Sequence, residues 1–103
     1  MIHFVRTVSI APGRMAEAMA FAKEIAAYSE RLTGFKVEVS VPIAGNPSRI
    51  AWHLQYRDLA ELEGAVSKIN ADAKFAEFVD KGAHGVYVDD PSMTQQLIYR
   101  HIA

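Results

Sequence analysis

The chain of 103 residues contains no cysteine, which excludes a disulfide framework, a thiol nucleophile and a thiolate metal site. It also lacks an excess of either charge. Eleven Lys and Arg stand against twelve Asp and Glu, giving a formal net charge of −1 with neutral histidines. A nucleic-acid binder carries a clustered basic footprint; here the basic residues are scattered, so no nucleic-acid partner is expected. No segment approaches the roughly 18 apolar residues that a bilayer-spanning helix needs, so no membrane partner is expected. The opening Met1-Ile2-His3-Phe4-Val5-Arg6 has no basic leader ahead of an apolar stretch, and it reads as a strand and not a signal peptide. A cytoplasmic setting follows as the expectation. The six glycines form no phosphate loop. Ser9 and Ser40 have no histidine–carboxylate company recognisable from sequence, so nucleophilic catalysis has no support. What is present is ordinary globular composition, 50% hydrophobic and 22% charged, enough for a single domain over residues 1–103.

The order of periodicities carries the fold. Residues 2–10 alternate, with Ile2, Phe4, Val8 and Ile10 on one face and His3, Val5, Thr7 and Ser9 on the other. Pro12-Gly13 ends this strand. From Arg14 to Leu32, the residues Met15, Ala18, Met19, Ala22, Ile25, Ala26, Ser29 and Leu32 form an i, i+3, i+4 stripe, closed by Gly34. A second strand runs over 35–41, and Gly45-Asn46-Pro47 turns it into a third bearing Ile50, Trp52, Leu54 and Tyr56. Asp58 and Glu61 make an Asp-x-x-Glu start for a helix with the stripe Leu59, Leu62, Val66 and Ile69; Asn70 to Asp72 breaks it, and Asp72 recaps a piece carrying Phe75, Phe78 and Val79. After a loop over 83–93, in which 86–88 is a short extended piece, residues 93–102 form a last strand whose two faces are too similar to assign. The expected fold is α+β: a ferredoxin-like split βαββαβ sandwich, one four-stranded antiparallel sheet with two helices on one face.

Two helices cover only one side of such a sheet. The other side combines Val5, Ala51, Thr7, Ser9, His3, His53 and Gln55 with few charges, whereas a solvated face normally carries more Lys, Glu and Arg. The pattern suits a symmetric partner, so a homodimer through the sheet face is expected.

The junction Val5-Arg6-Thr7-Val8-Ser9-Ile10-Ala11-Pro12-Gly13-Arg14 resembles the opening of NIPSNAP-like members of the dimeric α/β-barrel superfamily. In these an Arg-Thr-aromatic strand leads through Pro-Gly-basic into a long helix. The likeness extends loosely over the chain: a glycine after the long helix, a third strand with Trp52 and Tyr56, and an Asp-x-x-Phe piece at Asp72 and Phe75. Val8 stands where the family has a tyrosine. The resemblance implies a dimeric α/β barrel with a pocket between sheet and helices in each subunit. Relatives of this kind include antibiotic-biosynthesis monooxygenases that use no cofactor, haem-degrading enzymes, and many proteins of unknown reaction. The haem-degrading branch uses a helix histidine as iron ligand; His84 lies beyond Gly82 and does not align with it, so neither haem nor any other cofactor is expected.

Arg6 is the chemical anomaly, because its alternation puts a charge on the face beneath the helices, where it must be paired or reach water. It would either bind a carboxylate, phenolate or enolate, with Trp52, Tyr56 and Phe4 as an aromatic slot, or form a structural ion pair with Glu24 or Glu61, or turn outward on a β-bulge. The topology also brings His3, His53 and His101 towards one another. Their spacing is not that of a metal pair and no metal is expected; hydrogen-bonded interface histidines are the plainer reading. Phe21 and Tyr28, on the flank of the long helix, would cover the core edge or touch a second subunit. The candidate pocket is therefore Arg6, Phe4, Trp52, Tyr56 and His53. The expected function is binding of a small semi-apolar molecule; the alternative is a cofactor-independent, monooxygenase-like enzyme acting on an aromatic substrate that deprotonates readily.

Overall fold

The computed structural model describes residues 1–103, apart from the side chain of Pro91. The first alternating run forms β1 (Ile2–Ser9). Gly13, at φ +77°, turns the chain into α1 (Met15–Thr33), and Gly34, at φ +82°, ends it with its N–H on the Glu30 carbonyl at 2.8 Å. Both glycines occupy left-handed backbone that a side chain would strain. Next come β2 (Glu38–Ser40) and β3 (Arg49–Tyr56). Asp58 Oδ1 accepts the Glu61 N–H at 2.9 Å and starts α2 (Leu59–Ala71). Asp72 Oδ1 accepts the Phe75 N–H at 2.8 Å and starts α3 (Ala73–Ala83). A 3₁₀ turn (Pro91–Met93) leads into β4 (Gln95–Arg100).

The strands form one antiparallel sheet in the order β2-β3-β1-β4. β1 pairs with β3 without a bulge, from Ile2 opposite Tyr56 to Ser9 opposite Arg49, and with β4 from Ile2 opposite Arg100 to Thr7 opposite Gln95. The molecule is thus α+β with a four-stranded antiparallel sheet and three helices. The expected single broken helix is two separate ones, because Asp72 has extended backbone (φ −94°, ψ 99°) and its side chain caps a new helix.

Five further expectations are corrected. The second strand is three residues long, not seven. The Val37 N–H donates to Glu30 Oε1 at 3.2 Å instead of to a strand, and Pro42, with no N–H to give, closes the other end. The last strand is Gln95–Arg100, shorter than 93–102. The buried arc of α1 is Ala18, Phe21, Ala22 and Ala26, while Met15 and Met19 are exposed. On α2, Leu62 and Ala65 are buried and Leu59 and Val66 exposed. Ser9, assigned to the wet face, is buried: the neighbouring Ile10 N–H bonds the Ser48 carbonyl and the Val88 N–H bonds the Ser9 carbonyl, so loops close over both sides.

The rotation of α1 has a physical cause. Ala18 and Ala22 let the helix backbone come close enough for Trp52 Nε1–H to donate to the Ala22 carbonyl at 3.1 Å and for the Tyr87 hydroxyl to donate to the Ala18 carbonyl at 2.8 Å. Phe21 packs on Phe78 of α3, with ring centroids 5.3 Å apart, and on Tyr87 at 6.0 Å. Tyr28 meets Phe75 and Phe78 at 5.1 and 5.2 Å. Phe21 and Tyr28 therefore cover the core edge by making an aromatic seam between α1 and α3.

Candidate functional site

The core is split. One cluster gathers Val8, Ile10, Ala22, Ile50, Trp52 and Tyr87; the other gathers Ile2, Leu54, Tyr56, Leu62 and Ala65. On the helix-facing side of β1 the residue between Val8 and Phe4 is Arg6, a side chain that neither cluster can absorb. A cavity of about 680 Å³ opens there, between the sheet and all three helices, within the range of small-molecule sites. Phe4, Arg6, Trp52 and Tyr56 line its floor, together with Leu54 and Gln96. Ile25 and Ser29 of α1, Val66 and Ile69 of α2, and Phe75 and Val79 of α3 line the other walls. Val66 and Ile69 of the α2 stripe thus face this space, whereas the exposed Leu59 does not.

The alternatives for Arg6 resolve geometrically. The uninterrupted β1–β3 register contains no bulge to turn it outward. Glu61 is engaged by Arg57, whose Nε–H donates to Glu61 Oε2 at 2.8 Å, and the other ion pairs among the described residues are Arg14–Glu17 and Lys81–Glu77. Arg6 belongs to none of them. Arg6 is exposed to water through the cavity mouth, and the surrounding walls remove part of its solvent and so lower its guanidinium pKa, with no carboxylate opposing the effect. It remains a cation at any ordinary pH. Burial, and secondarily the Glu61 charge, raises the Tyr56 pKa, and burial raises that of Tyr87. Both tyrosines are therefore neutral phenols.

His53, expected in the same pocket, lies on the opposite face of the sheet, because it alternates with Trp52 and Leu54. It borders a shallower hollow of about 370 Å³ with Ser40, Thr7 and Arg49. There Ser40 Oγ is 2.7 Å from His53 Nε2, and His53 Nδ1 is 3.4 Å from His3 Nε2. The His3 ring stacks on that of His53 at 5.5 Å and meets the His101 ring edge-on at 6.3 Å. The three histidines are indeed neighbours, with His3 in the middle. Desolvation first, and the charge of His3 second, lower the His53 pKa, against an opposing pull from Glu38. Among the described residues no group of three His, Asp or Glu side chains is arranged to hold a metal ion.

Sequence reasoning missed Gln96, Tyr87 and the wall residues of α3. The pairing of β4 decides Gln96, since Arg6 lies opposite Gln96 and Phe4 opposite Ile98. Gln96 and Ile98 therefore share the cavity side of the sheet, while Leu97 and Tyr99 share the open side. Tyr87, in a region read as loop, bridges to Ile10 and sets its ring edge-on to Trp52 at 5.9 Å. Asp80, His84 and Asp89, all exposed, also border the cavity at the end of α3 and beyond it.

Neither a protein-family model nor a curated protein matches the sequence. Solved structures do match in shape. An uncharacterized NIPSNAP domain protein from Burkholderia xenovorans superposes with a TM-score of 0.80 at 13% identity, over 100% of this chain and 96% of that one. This chain has the ferredoxin-like fold of the NIPSNAP domain proteins. A NIPSNAP family protein from Agrobacterium tumefaciens gives 0.75 at 17% identity, over 96% and 90% of the two chains. A candidate antibiotic biosynthesis monooxygenase from Deinococcus radiodurans gives 0.70 at 17%, over 100% and 94%. At such identities the NIPSNAP likeness is one of fold. No helix among the described residues is long and apolar enough to cross a membrane.

Proposed function

We propose that this protein is a homodimer that binds a small, largely apolar molecule in the cavity beneath its helices. The observation that carries the reading is Arg6: a guanidinium with no acid partner, facing a cavity whose walls are mainly aliphatic and aromatic. Arg6 is exposed at the cavity mouth and only partly desolvated, so an anionic group in the cavity gains a charge-assisted partner that no protein carboxylate supplies. The dimer is supported by the open sheet face, where Leu97 and Tyr99 are 37% and 52% exposed beside Val5 and the histidines, and where the sheet offers few charges to solvent. The chain's only tryptophan, Trp52, lines the cavity, so its emission reports on occupancy. Titration with naphthalene-sized aromatic probes is expected to shift or quench that emission, and Val66→Trp, which fills the cavity, to weaken the probes' binding measured by calorimetry. Folded protein that binds no probe by either method refutes the ligand reading. Sedimentation of a monomer at micromolar concentration refutes the dimer.

A second reading is favoured by the candidate monooxygenase among the fold's neighbours and by the titratable Asp80, His84 and Asp89 at the cavity. In it, an aromatic substrate with an acidic methylene is oxidised without a cofactor. The substrate supplies all four electrons that reduce O₂, CH₂ + O₂ giving C=O + H₂O. Arg6 stabilises the carbanion or enolate, and a cavity-side base takes the proton. Oxygen uptake with an anthrone-type substrate, abolished in Arg6→Met, distinguishes this reading from simple binding.

A further inference from the structure

Resting on the ligand-binding reading of the cavity, we infer that the ligand is an aryl monocarboxylate, held by Arg6 and Gln96 acting as one anion grip. Three neighbouring strands carry Trp52, Arg6 and Gln96 in a single row: Arg6 is opposite Trp52 on β3 and opposite Gln96 on β4, and all three line the cavity. Side chains directly opposite on antiparallel strands start about 4.5–5.5 Å apart, so the guanidinium fork and the carboxamide N–H₂ reach the two oxygens of one carboxylate. The indole on the other side of Arg6 supplies a flat wall for the ring attached to that carboxylate.

Two aromatic polar tips along the walls are already occupied, whereas Ser29, Tyr56, Asn70 and Thr94 keep theirs open to the cavity. Trp52 Nε1–H is committed to the Ala22 carbonyl and the Tyr87 hydroxyl to the Ala18 carbonyl, so both aromatics present carbon to the cavity. Arg6 and Gln96 make no side-chain hydrogen bond among the described residues, which leaves them as donors awaiting an acceptor. Charge then limits the ligand to one anionic group. Arg6 is the single fixed cation lining the cavity, whereas two carboxylates, Asp80 and Asp89, border it. A second anionic group would meet these aspartates, and a cationic ligand would meet Arg6. Phe4, Tyr56 and Phe75 add aromatic surface on the sheet and on α3, suited to a fused ring more than to a flexible chain.

The experiment compares four probes of the full-length protein by Trp52 fluorescence and calorimetry: 2-naphthoate, its neutral analogue 2-acetonaphthone, naphthalene-2,6-dicarboxylate and decanoate. In the unaltered protein 2-naphthoate binds at least about tenfold tighter than the other three, the range for a charge-assisted hydrogen bond. Arg6→Met weakens 2-naphthoate by at least about tenfold and 2-acetonaphthone by less, and so removes that preference. Arg6→Lys, which keeps the charge without the fork, gives an intermediate preference and serves if the methionine variant fails to fold. Gln96→Leu weakens 2-naphthoate by about threefold to tenfold and 2-acetonaphthone by less. Equal binding of 2-naphthoate and 2-acetonaphthone overturns the anion grip while leaving the cavity a binding site. Preference for decanoate overturns the aryl assignment, tighter binding of the dicarboxylate overturns the single-charge limit, and indifference to Gln96→Leu removes that residue from the grip. Failure of all four probes to bind refutes the ligand reading together with this inference.

Discussion

The two faces of one sheet treat charge in opposite ways. On the helix-covered face Arg6 keeps its proton although its surroundings desolvate it, since a guanidinium cannot be neutralised within the accessible pH range. On the open face His53, crowded by protein and by the charge of His3, gives its proton up more readily. The same backbone alternation delivers both residues, yet one becomes a fixed cation in search of an anion and the other a titratable group in a hydrogen-bonded chain with Ser40 and His3. The chemistry of a site follows from whether the side chain can discharge, and not from burial alone.

That contrast can be broken from either side. Trp52→Ala, on the covered face, deletes a 6%-exposed indole and its bond to the Ala22 carbonyl, and is expected to lower unfolding free energy by about 3–5 kcal/mol in urea titrations. A loss below about 1 kcal/mol means the covered face is not a packed core. Gly82→Ala tests the seam between α1 and α3: the added methyl would stand about 2.0 Å from the Phe21 ring. Alanine ordinarily stabilises a helix over glycine, but here the overpacking should cost about 1–3 kcal/mol, visible as a lower Tm. A raised Tm would mean that Phe21 rotates away freely.

On the open face the sign of the pH effect is fixed by the direction of the His53 shift. Its folded pKa lies below the unfolded value of 6.5, so below that pH the unfolded chain binds a proton that the folded chain refuses. The His53 contribution is therefore fully present above about pH 6.5 and is lost as pH falls towards the folded pKa. His53→Gln should flatten the Tm profile between pH 7 and 5, and an unchanged slope would assign the effect to other groups. Leu97→Asp should change the stability of a single subunit by less than about 0.5 kcal/mol, as exposed substitutions do, while converting the proposed dimer into monomers on sedimentation. Persistence of the dimer would place its interface elsewhere.

Much of the covered face was legible from spacing. β1, α1 and β3 lie within a residue or two of where alternation and the helical stripe put them, and Asp58 and Asp72 cap the helices that their side chains suggested. Arg6 stood out for the same reason, as a charge on an apolar register. The α1 arc was less legible, because Met15 and Met19 fit the hydrophobic period as well as Phe21 does. The choice fell to Phe21 through the space at Gly82 and the close approach permitted at Ala18 and Ala22. Val66 and Ile69 read as core but line a cavity, since an apolar stripe is the same whether it meets side chains or a space. His53 was counted in the pocket although its own alternation with Trp52 points it to the other face. Gln96 could not be found at all: Leu97, Ile98 and Tyr99 are apolar in succession, so β4 has no preferred face until it pairs with β1.

By itself the sequence determined the elements and their order, the helix caps, and a charged residue beneath the helices, because each depends on neighbours a few positions away. Only the tertiary structure decided that Arg6 would go unpaired, that Gln96 would stand beside it, and that the two halves of the core would leave a cavity between them. These depend on pairing register and on the close contact of distant segments, which local spacing does not encode.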